Sequence, residues 1–290
     1  MNDTIQQGLK GKLDKFSNLP SIPQIIVKIK QVAENPKATA ADLANCILSD
    51  HQLTSRILRM ANSAYYGSFS GKITTVTHGI VVMGFRAVHN IAISMALYDV
   101  VNSITKGSKF NLTAFWIRSL ANGVIAKYLA QQINHTKLIE AAFIAGFMHD
   151  IGQVILAGAF PDKYEQISKL GTETPDIYTA ERAILGIDHM EAGMLLARKW
   201  NLPSTLIRPI LKHHRINKAR KEKSKDILVD LVFIGDILYP YVMGGQHPQS
   251  TAYTAVVEQT KILINISDDC ITELVASCHQ QVAEIAQDLE

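Results

Sequence analysis

Apolar residues recur every three or four positions along almost the whole chain, and hardly any stretch alternates between apolar and polar residues. The first spacing is typical of amphipathic helices and the second of strands. Near the start of the chain, Ile25, Ile26, Ile29 and Val32 form one apolar stripe, which Asn35-Pro36 ends. The pattern predicts an all-α protein.

Capping residues mark the starts of the first three predicted helices. Ser21 is placed to cap the first helix, with Pro23 in the first turn, where a missing N–H group costs nothing. Thr39 begins the second helix, and Asp42 is placed to complete a capping box with it. Asp50 begins the third helix. Three short helices are therefore expected near the start of the chain.

The rest of the chain continues the helical pattern after a predicted loop at Tyr65–Ile73, which contains two glycines and two serines. Periodic apolar stretches predict further helices at about Val76–Val82, Phe85–Val101, Thr113–Gln132, Leu138–Ala157, Pro161–Lys169, Asp176–Leu185, Met190–Trp200, Ser204–Lys212, Asp226–Tyr239, Ala252–Ile264 and Asp268–Gln287.

One polar stretch, Ile104–Asn111, is the best candidate for a boundary within the chain. It separates an expected N-terminal helical lobe at residues 19–110 from a helical core at 111–240. We also expect an N-terminal extension at 1–18 and C-terminal helices at 241–290. We expect one compact unit with two lobes, because 290 residues can bury a single large core.

Composition narrows the class of protein. Hydrophobic residues make up 47% of the chain and charged residues 19%, which is typical of a globular protein. The formal net charge of +3 is too small to indicate a nucleic-acid partner. The basic cluster Lys212–Lys225 is interpreted as a solvated loop.

The cysteines and the apolar runs indicate the cellular compartment of the protein. Cys46, Cys270 and Cys278 form no C-x-x-C pair, so they indicate neither a disulfide framework nor a zinc knuckle. Met1–Phe16 lacks the apolar core of a signal peptide, and apolar runs such as Ala141–Met148 are shorter than a membrane span. We therefore expect a cytoplasmic protein without a membrane partner. The sequence predicts no particular oligomeric state.

An adjacent imidazole and carboxylate, His149 and Asp150, interrupt an otherwise apolar segment. A buried carboxylate needs a metal ion, an arginine or a helix N-terminus as its partner. Neighbouring residues on a helix point about 100° apart, so both reach one interior site only near a kink or a helix end. Gly152 is a candidate for the cause of such a kink.

Other imidazoles and one carboxylate extend this set. His189 follows a predicted helix start, His213 and His214 end the next helix, and Asp236 lies in an apolar segment. A lone histidine at a helix edge is more often packed or exposed than a metal ligand. Here several histidines occur near helix ends together with aspartates, which favours a shared site. Together these residues form a mixed nitrogen and oxygen set suited to Zn, Fe, Mn or Ni.

At this point the sequence resembles the HDOD domain, a relative of the HD and HD-GYP metal-dependent phosphohydrolases. The resemblance spans about Leu19–His214 and implies an HD-domain-like helical bundle in a bacterial signalling protein. Its co-linear motifs are Leu19-Pro20-x-x-Pro23, Asp50-x-x-Leu53-Thr54-x-x-Ile57-Leu58-Arg59-x-Ala61-Asn62-Ser63, Gly84, Phe115-Trp116-x-x-Ser119-Leu120-Ala121, His149-Asp150-Ile151-Gly152, Trp200-Asn201-Leu202-Pro203 and His213-His214.

The resemblance also implies a ligand set with one departure. In HD-type sites a histidine before the HD pair helps to hold the first metal, and in this chain Arg118 stands at that position. The other implied ligands are all present: His149, Asp150 and Asp236 for one metal, and His189, His213 and His214, with Asp150 as a bridge, for a second. Two interpretations remain open: an ion pair between Arg118 and the carboxylates, which we favour, or a single bound metal ion.

The resemblance to HD-type proteins leaves two alternative functions. HD-GYP enzymes carry an acidic residue after the His-His pair and a Gly-Tyr-Pro segment, and this chain has Arg215 after His214 and no Gly-Tyr-Pro. We therefore favour a non-enzymatic signalling module that binds a partner protein or a small ligand. The alternative is a metal-dependent phosphohydrolase acting on a nucleotide or another phosphoester, with His149 and Asp150 as candidate catalytic residues.

Overall fold

The fold consists of α-helices joined by short connections. In the computed structural model, the residues described are 20–62, 72–171, 177–215, 226–244 and 251–287. They contain no strand, which confirms the all-α prediction. The helices are α1 (Gln24–Glu34), α2 (Ala40–Leu48), α3 (His51–Ala61), α4 (Val76–Met83), α5 (Phe85–Thr105), α6 (Leu112–Gln132), α7 (Ile139–Met148), α8 (Ile151–Ala159), α9 (Pro161–Gly171), α10 (Ile177–Leu185), α11 (His189–Lys199), α12 (Ser204–Lys212), α13 (Ile227–Val242), α14 (Thr251–Ile264) and α15 (Asp268–Gln287).

Some expectations fall on parts of the chain that are not described. The N-terminal extension lies wholly outside the described residues, and so do most of the predicted loop Tyr65–Ile73 and of the basic cluster Lys212–Lys225. The boundaries proposed at residues 18, 110 and 240 remain predictions.

The helix starts test the capping signals directly. Thr39 and Asp42 form the predicted capping box: the Thr39 amide donates to the Asp42 carboxylate at 2.8 Å, and the Asp42 amide donates to the Thr39 hydroxyl at 3.2 Å. The prediction for Ser21 was wrong. Helix α1 begins at Gln24 with Pro23 as its N-cap and without a side-chain cap. Since Pro23 is extended, Ser21 lies too far before the first free amides of the helix to accept from them.

Helix α5 joins the two halves of the described chain. On one side it packs against α1 and α3, and on the other against α8. Helix α6 packs most extensively against α7 and also against α13 and α15, while α8 packs against α11. One continuous apolar core runs from Ile26 in α1 to Val282 in α15. The helices that carry the candidate ligands therefore share their core with the N-terminal helices.

The predicted helix Leu138–Ala157 was wrong in one respect, because two helices, α7 and α8, occupy this stretch and break at His149 and Asp150. The apolar segment Thr136–Ala159 is long and apolar enough to cross a membrane, but 83% of its apolar window is buried inside the protein. Such burial is typical of the core helix of a globular protein.

Gly152 does not cause this break, which comes two residues earlier; instead it lets two helices approach closely. A Cβ atom at position 152 would overlap the carbonyl oxygen of His189 and would lie 2.6 Å from the amide nitrogen of Gly193. Helices α8 and α11 therefore touch through their backbones, since no side chain intervenes at this point.

Candidate metal centre

The break between α7 and α8 turns two polar side chains into the interior. His149 and Asp150 are both buried. The Nδ1 atom of His149 donates to the carbonyl of Gly146 at 2.6 Å, which directs Nε2 toward the carboxylates. Nε2 lies 3.3 Å from Oδ2 of Asp150 and 3.6 Å from Oδ1 of Asp236. The helix end thus solves the geometric problem of placing two adjacent residues at one site.

The second group of candidate ligands comes from α11 and α12. His189 is the first residue of α11, after the N-cap Asp188, and His213 and His214 follow the last residue of α12. The Nε2 atoms of His189 and His213 each lie 3.3 Å from Oδ1 of Asp150. His214 lies nearby, with Nδ1 3.7 Å from Oδ2 of Asp236. Ligand atoms of Asp150, His189, His213 and His214 all lie within 4.8 Å of one another.

Arg118 reaches this site from the middle of α6. Its Nη2 atom donates to Oδ1 of Asp236 at 2.6 Å, and its Nε atom lies 3.4 Å from Oδ2 of Asp150. The side chain is 34% exposed, and its guanidinium carbon lies 5.8 Å from the centre of the Tyr239 ring. The arginine therefore forms the outer wall of the site and pairs with both carboxylates.

Comparison with known proteins agrees with this arrangement of helices. The family model of the HDOD domain matches residues 19–216. The chain belongs to the HDOD domain family. The resemblance seen in the sequence is thereby confirmed.

Solved structures share the HDOD fold. One is an HDOD domain protein with unknown function from Geobacter sulfurreducens, 24% identical, with a TM-score of 0.73 over 93% of this chain and 92% of that chain. Another, from Shewanella amazonensis SB2B, is named "Putative phosphohydrolase" and is 26% identical, with a TM-score of 0.77 over 96% of this chain and 97% of that chain.

A curated relative is an uncharacterized protein of Treponema pallidum (strain Nichols), 25% identical over 210 residues. The match covers 72% of this chain and 40% of the Treponema protein. The chain therefore spans less than half the length of that relative.

The site has two halves that share Asp150: the first contains Arg118, His149 and Asp236, and the second contains His189, His213 and His214. Charges in the first half balance one another. Burial opposes ionisation of Asp150 and Asp236, but His149 and Arg118 hold the pKa of both carboxyls well below the usual range. Burial also opposes protonation of His149, yet the Asp150 carboxylate outweighs it, and the pKa of His149 rises to about 9. Two cations thus face two anions, so this half is stabilised without a metal ion.

In the second half, three acceptor atoms converge. The Nδ1 atom of His213 donates to the carbonyls of Pro209 and Ile210, at 3.1 and 3.0 Å. The Nδ1 atom of His189 is likewise engaged as a donor, so in the neutral imidazoles both Nε2 atoms carry lone pairs. These atoms lie 3.2 Å apart and both face Oδ1 of Asp150. Such a group needs a proton or a cation between its members.

Glu181 was missed in the sequence, although it sets the orientation of His189. It is fully buried in α10, and its Oε2 accepts from both the backbone amide and Nδ1 of His189, each at 2.7 Å. Burial opposes protonation of His189, but Glu181 outweighs it and raises the pKa of His189. In the sequence Glu181 stands beside Arg182 in an amphipathic helix and looks like a surface residue.

Asn122 is the other residue that sequence reasoning missed. It is buried one turn after Arg118 on α6, donates to the carbonyl of Val232 at 3.1 Å, and lies 3.4 Å from Nε2 of His149. The spacing of four residues from Arg118 was the available signal, because such residues share one helix face. Asn122 ties α6 to α13 beside the HD pair.

Two groups of side chains could hold a metal ion: Asp150, His189, His213 and His214 in the second half of the site, and His149, Asp150 and Asp236 in the first half. Within the described chain, neither oxygen of Asp150 makes a hydrogen bond, and Nε2 of His214 has no partner either. Buried acceptor atoms without hydrogen-bond donors are suited to bind a cation. Burial, together with His213, lowers the pKa of His214 to about 2, so this imidazole is neutral and available as a ligand. In the first half, the Arg118 guanidinium already pairs the carboxylates.

Proposed function

We propose that this HDOD protein is a non-catalytic regulatory module that acts by binding a partner protein or a small ligand. The observation that carries the proposal is the pairing of Arg118 with Asp150 and Asp236, at 3.4 and 2.6 Å. A guanidinium cannot be deprotonated in a protein, so its positive charge stays fixed where a first metal would be held.

The charge balance supports this proposal further. In an HD-type hydrolase the HD pair and the later aspartate would hold a metal, and the metal would supply an activated water molecule as the nucleophile. Here Arg118 and His149 hold the pKa of Asp150 and Asp236 well below the usual range, and a metal added beside them would be repelled by the fixed charge of Arg118. The helical framework remains, and it is suited to a binding role.

A metal-dependent phosphohydrolase is the second candidate, supported by the convergence of Asp150, His189, His213 and His214 within 4.8 Å. The name of the similar Shewanella protein is in line with it. A metal held by these four residues would supply a Lewis acid and an acidified water molecule. The side chains themselves would orient the ion, with Glu181 fixing His189.

Metal analysis and a turnover assay distinguish the two candidates. The full chain is purified without added metal, its metal content is measured, and a phosphodiester substrate is tested with Mn, Ni and Fe supplied. We expect no more than about one ion per chain and no turnover above that of Asp150→Ala. Turnover in the unaltered protein that disappears in Asp150→Ala would make the phosphohydrolase the correct assignment.

A further inference from the structure

The side chain of Asn122 lies where the three helices of the first half of the site meet. It belongs to α6, it is completely buried at 0% exposure, and it contacts both α7 and α13. We propose that Asn122 is a positioning residue, which sets the spacing of the three helices at which Arg118 reaches Asp236. The inference rests on the proposed function, because the pairing of Arg118 carries that proposal.

Oδ1 of Asn122 occupies the space in which a side chain on α7 or on α13 would begin. A Cβ atom at position 146 would lie 2.8 Å from Oδ1, and one at position 235 would lie 2.5 Å from it. Both positions are glycine, and in glycine a Cα–H bond takes the direction of the missing Cβ. Within the described chain Oδ1 accepts no conventional hydrogen bond. The Cα–H groups of Gly146 and Gly235 therefore face it, and such groups are weak donors.

The amide nitrogen of the same side chain binds the turn of α13 that carries Asp236. Nδ2 of Asn122 donates to the carbonyl of Val232 at 3.1 Å. In an α-helix that carbonyl also accepts from the amide of the residue four positions later, which here is Asp236. Gly235 comes directly before Asp236. Both ends of the Asn122 amide thus contact α13 within one turn of the carboxylate that Arg118 binds.

The contact with α7 leads to the HD pair. Gly146 packs against Asn122, and its carbonyl accepts from Nδ1 of His149 at 2.6 Å. On α6, Arg118 comes four residues before Asn122, and residues at this spacing share one helix face. The spacing that Asn122 imposes on α6, α7 and α13 is therefore the spacing at which Arg118 meets its carboxylates.

A double variant tests the contact between Asn122 and Gly235. Gly235→Ala should lower the urea midpoint of unfolding by about 0.5 M or more, because its methyl group overlaps Oδ1 and Cγ of Asn122. Asn122→Ala removes both atoms, and the nearest remaining atom is then the backbone oxygen of residue 122, at 3.3 Å. Adding Gly235→Ala to Asn122→Ala should therefore lower the midpoint by less than about 0.3 M.

Gly146→Ala is the matched control for this rescue. A Cβ atom at position 146 would lie 2.7 Å from the backbone oxygen of Asn122, which Asn122→Ala does not remove. The loss caused by Gly146→Ala should therefore be the same with and without Asn122→Ala. If Gly235→Ala alone does not fold, the comparison of Asn122→Ala with the double variant still measures the cost of the methyl group.

Exchange of the Arg118 Nε proton with solvent, measured by ¹⁵N NMR on the full chain, tests the positioning itself. Nε is buried and lies 3.4 Å from Oδ2 of Asp150, so its proton exchanges slowly while the guanidinium keeps its place. In Asn122→Ala we expect exchange at least about tenfold faster. Ser119→Ala should leave the rate unchanged, because Ser119 is buried beside Arg118 and its hydroxyl makes no hydrogen bond within the described residues.

Three results would overturn the inference. They are a cost of Gly235→Ala that Asn122→Ala leaves unchanged, an equally complete rescue of Gly146→Ala, and an Arg118 exchange rate that Asn122→Ala does not alter. None of them depends on the phosphodiester assay. Turnover together with rescue at position 235 and faster Arg118 exchange would overturn the proposed function and leave the positioning role of Asn122 standing.

Discussion

Nη2 of Arg118 and Oδ1 of Asp236 lie 2.6 Å apart, although 118 positions of chain separate the two residues. The arginine side chain is 34% exposed and that of the aspartate is 7% exposed. The pair therefore has one end in the core and the other at the surface. The stability of the site and its affinity for metal both depend on this contact, and each can be measured.

Removal of the guanidinium should destabilise the metal-free protein. In Arg118→Ala, Asp236 keeps its burial but loses its main cationic partner, and Asp150 loses one of its two, so we expect the free energy of unfolding to fall by about 2–4 kcal/mol. The partial exposure of Arg118 keeps the cost below that of a fully buried pair. Urea unfolding in the presence of a chelator measures it. Arg208→Ala, which breaks the surface pair with Asp226, is the control and should cost less than about 1 kcal/mol.

Replacement of Arg118 by histidine should convert the first half of the site into a metal site. The change removes a fixed positive charge and adds an imidazole beside His149, Asp150 and Asp236. We expect affinity for Mn or Fe to rise at least about tenfold, roughly 1.4 kcal/mol. Equilibrium dialysis with metal analysis measures the change. Arg118→Gln removes the charge without adding a ligand, and equal gains in both variants would show that charge alone limits binding.

Metal-free stability should pass through a maximum near pH 6.5. The folded-state pKa of His149 is raised to about 9 from 6.5, so its contribution is complete below 6.5 and is lost as the pH rises toward 9. The folded-state pKa of His214 is lowered to about 2, so its contribution is complete above 6.5 and is lost as the pH falls below 6.5. Urea midpoints measured with a chelator across this range give the curve.

A variant of Asp150 tests why metal-free stability falls above pH 6.5. Asp150→Asn removes the first carboxylate that raises the pKa of His149, so the decline above pH 6.5 should become shallower. An unchanged alkaline slope in this variant would contradict the assignment of that slope to His149.

Neutralising Glu181 should weaken metal binding without any change to a ligand. In Glu181→Gln, Nδ1 of His189 loses its charged acceptor, and we expect metal affinity at the second half to fall by about 10- to 100-fold. Metal titration with a competing chelator provides the measurement. Glu191→Gln is the matched control, because Glu191 is near the same helix start but pairs with Arg182 at the surface. Equal losses in the two variants would indicate a general charge effect.

Local patterns predicted much of this fold. The helices follow from apolar periodicity, and the capping box of Thr39 and Asp42 follows from two residues at a fixed spacing. The approach of Arg118 to the carboxylates was also expected, because the resemblance to HD-type proteins placed it at a ligand position. In these cases the determining interactions are either local or fixed by a known arrangement of helices.

Other features depend on contacts that the sequence does not reveal. The sequence predicted a kink or helix end near His149 and Asp150 with Gly152 as its candidate cause, but the helix ends before the glycine, because tertiary packing decides where such a helix ends. Glu181 looks like a surface residue because its neighbours are charged, and its burial depends on His189 and Tyr164, which come from other helices. Metal binding at the predicted ligands stays a prediction.

Gly152 sets the distance between α8 and α11, and therefore the distance between Asp150 and His189. A chain that kept every histidine and aspartate but carried alanine at position 152 would place a methyl group against the His189 carbonyl and push α11 away from α8. His189 would then retreat from Asp150, which comes two residues before the glycine. The distance between His189 and Asp150 therefore depends on the absence of a side chain at position 152.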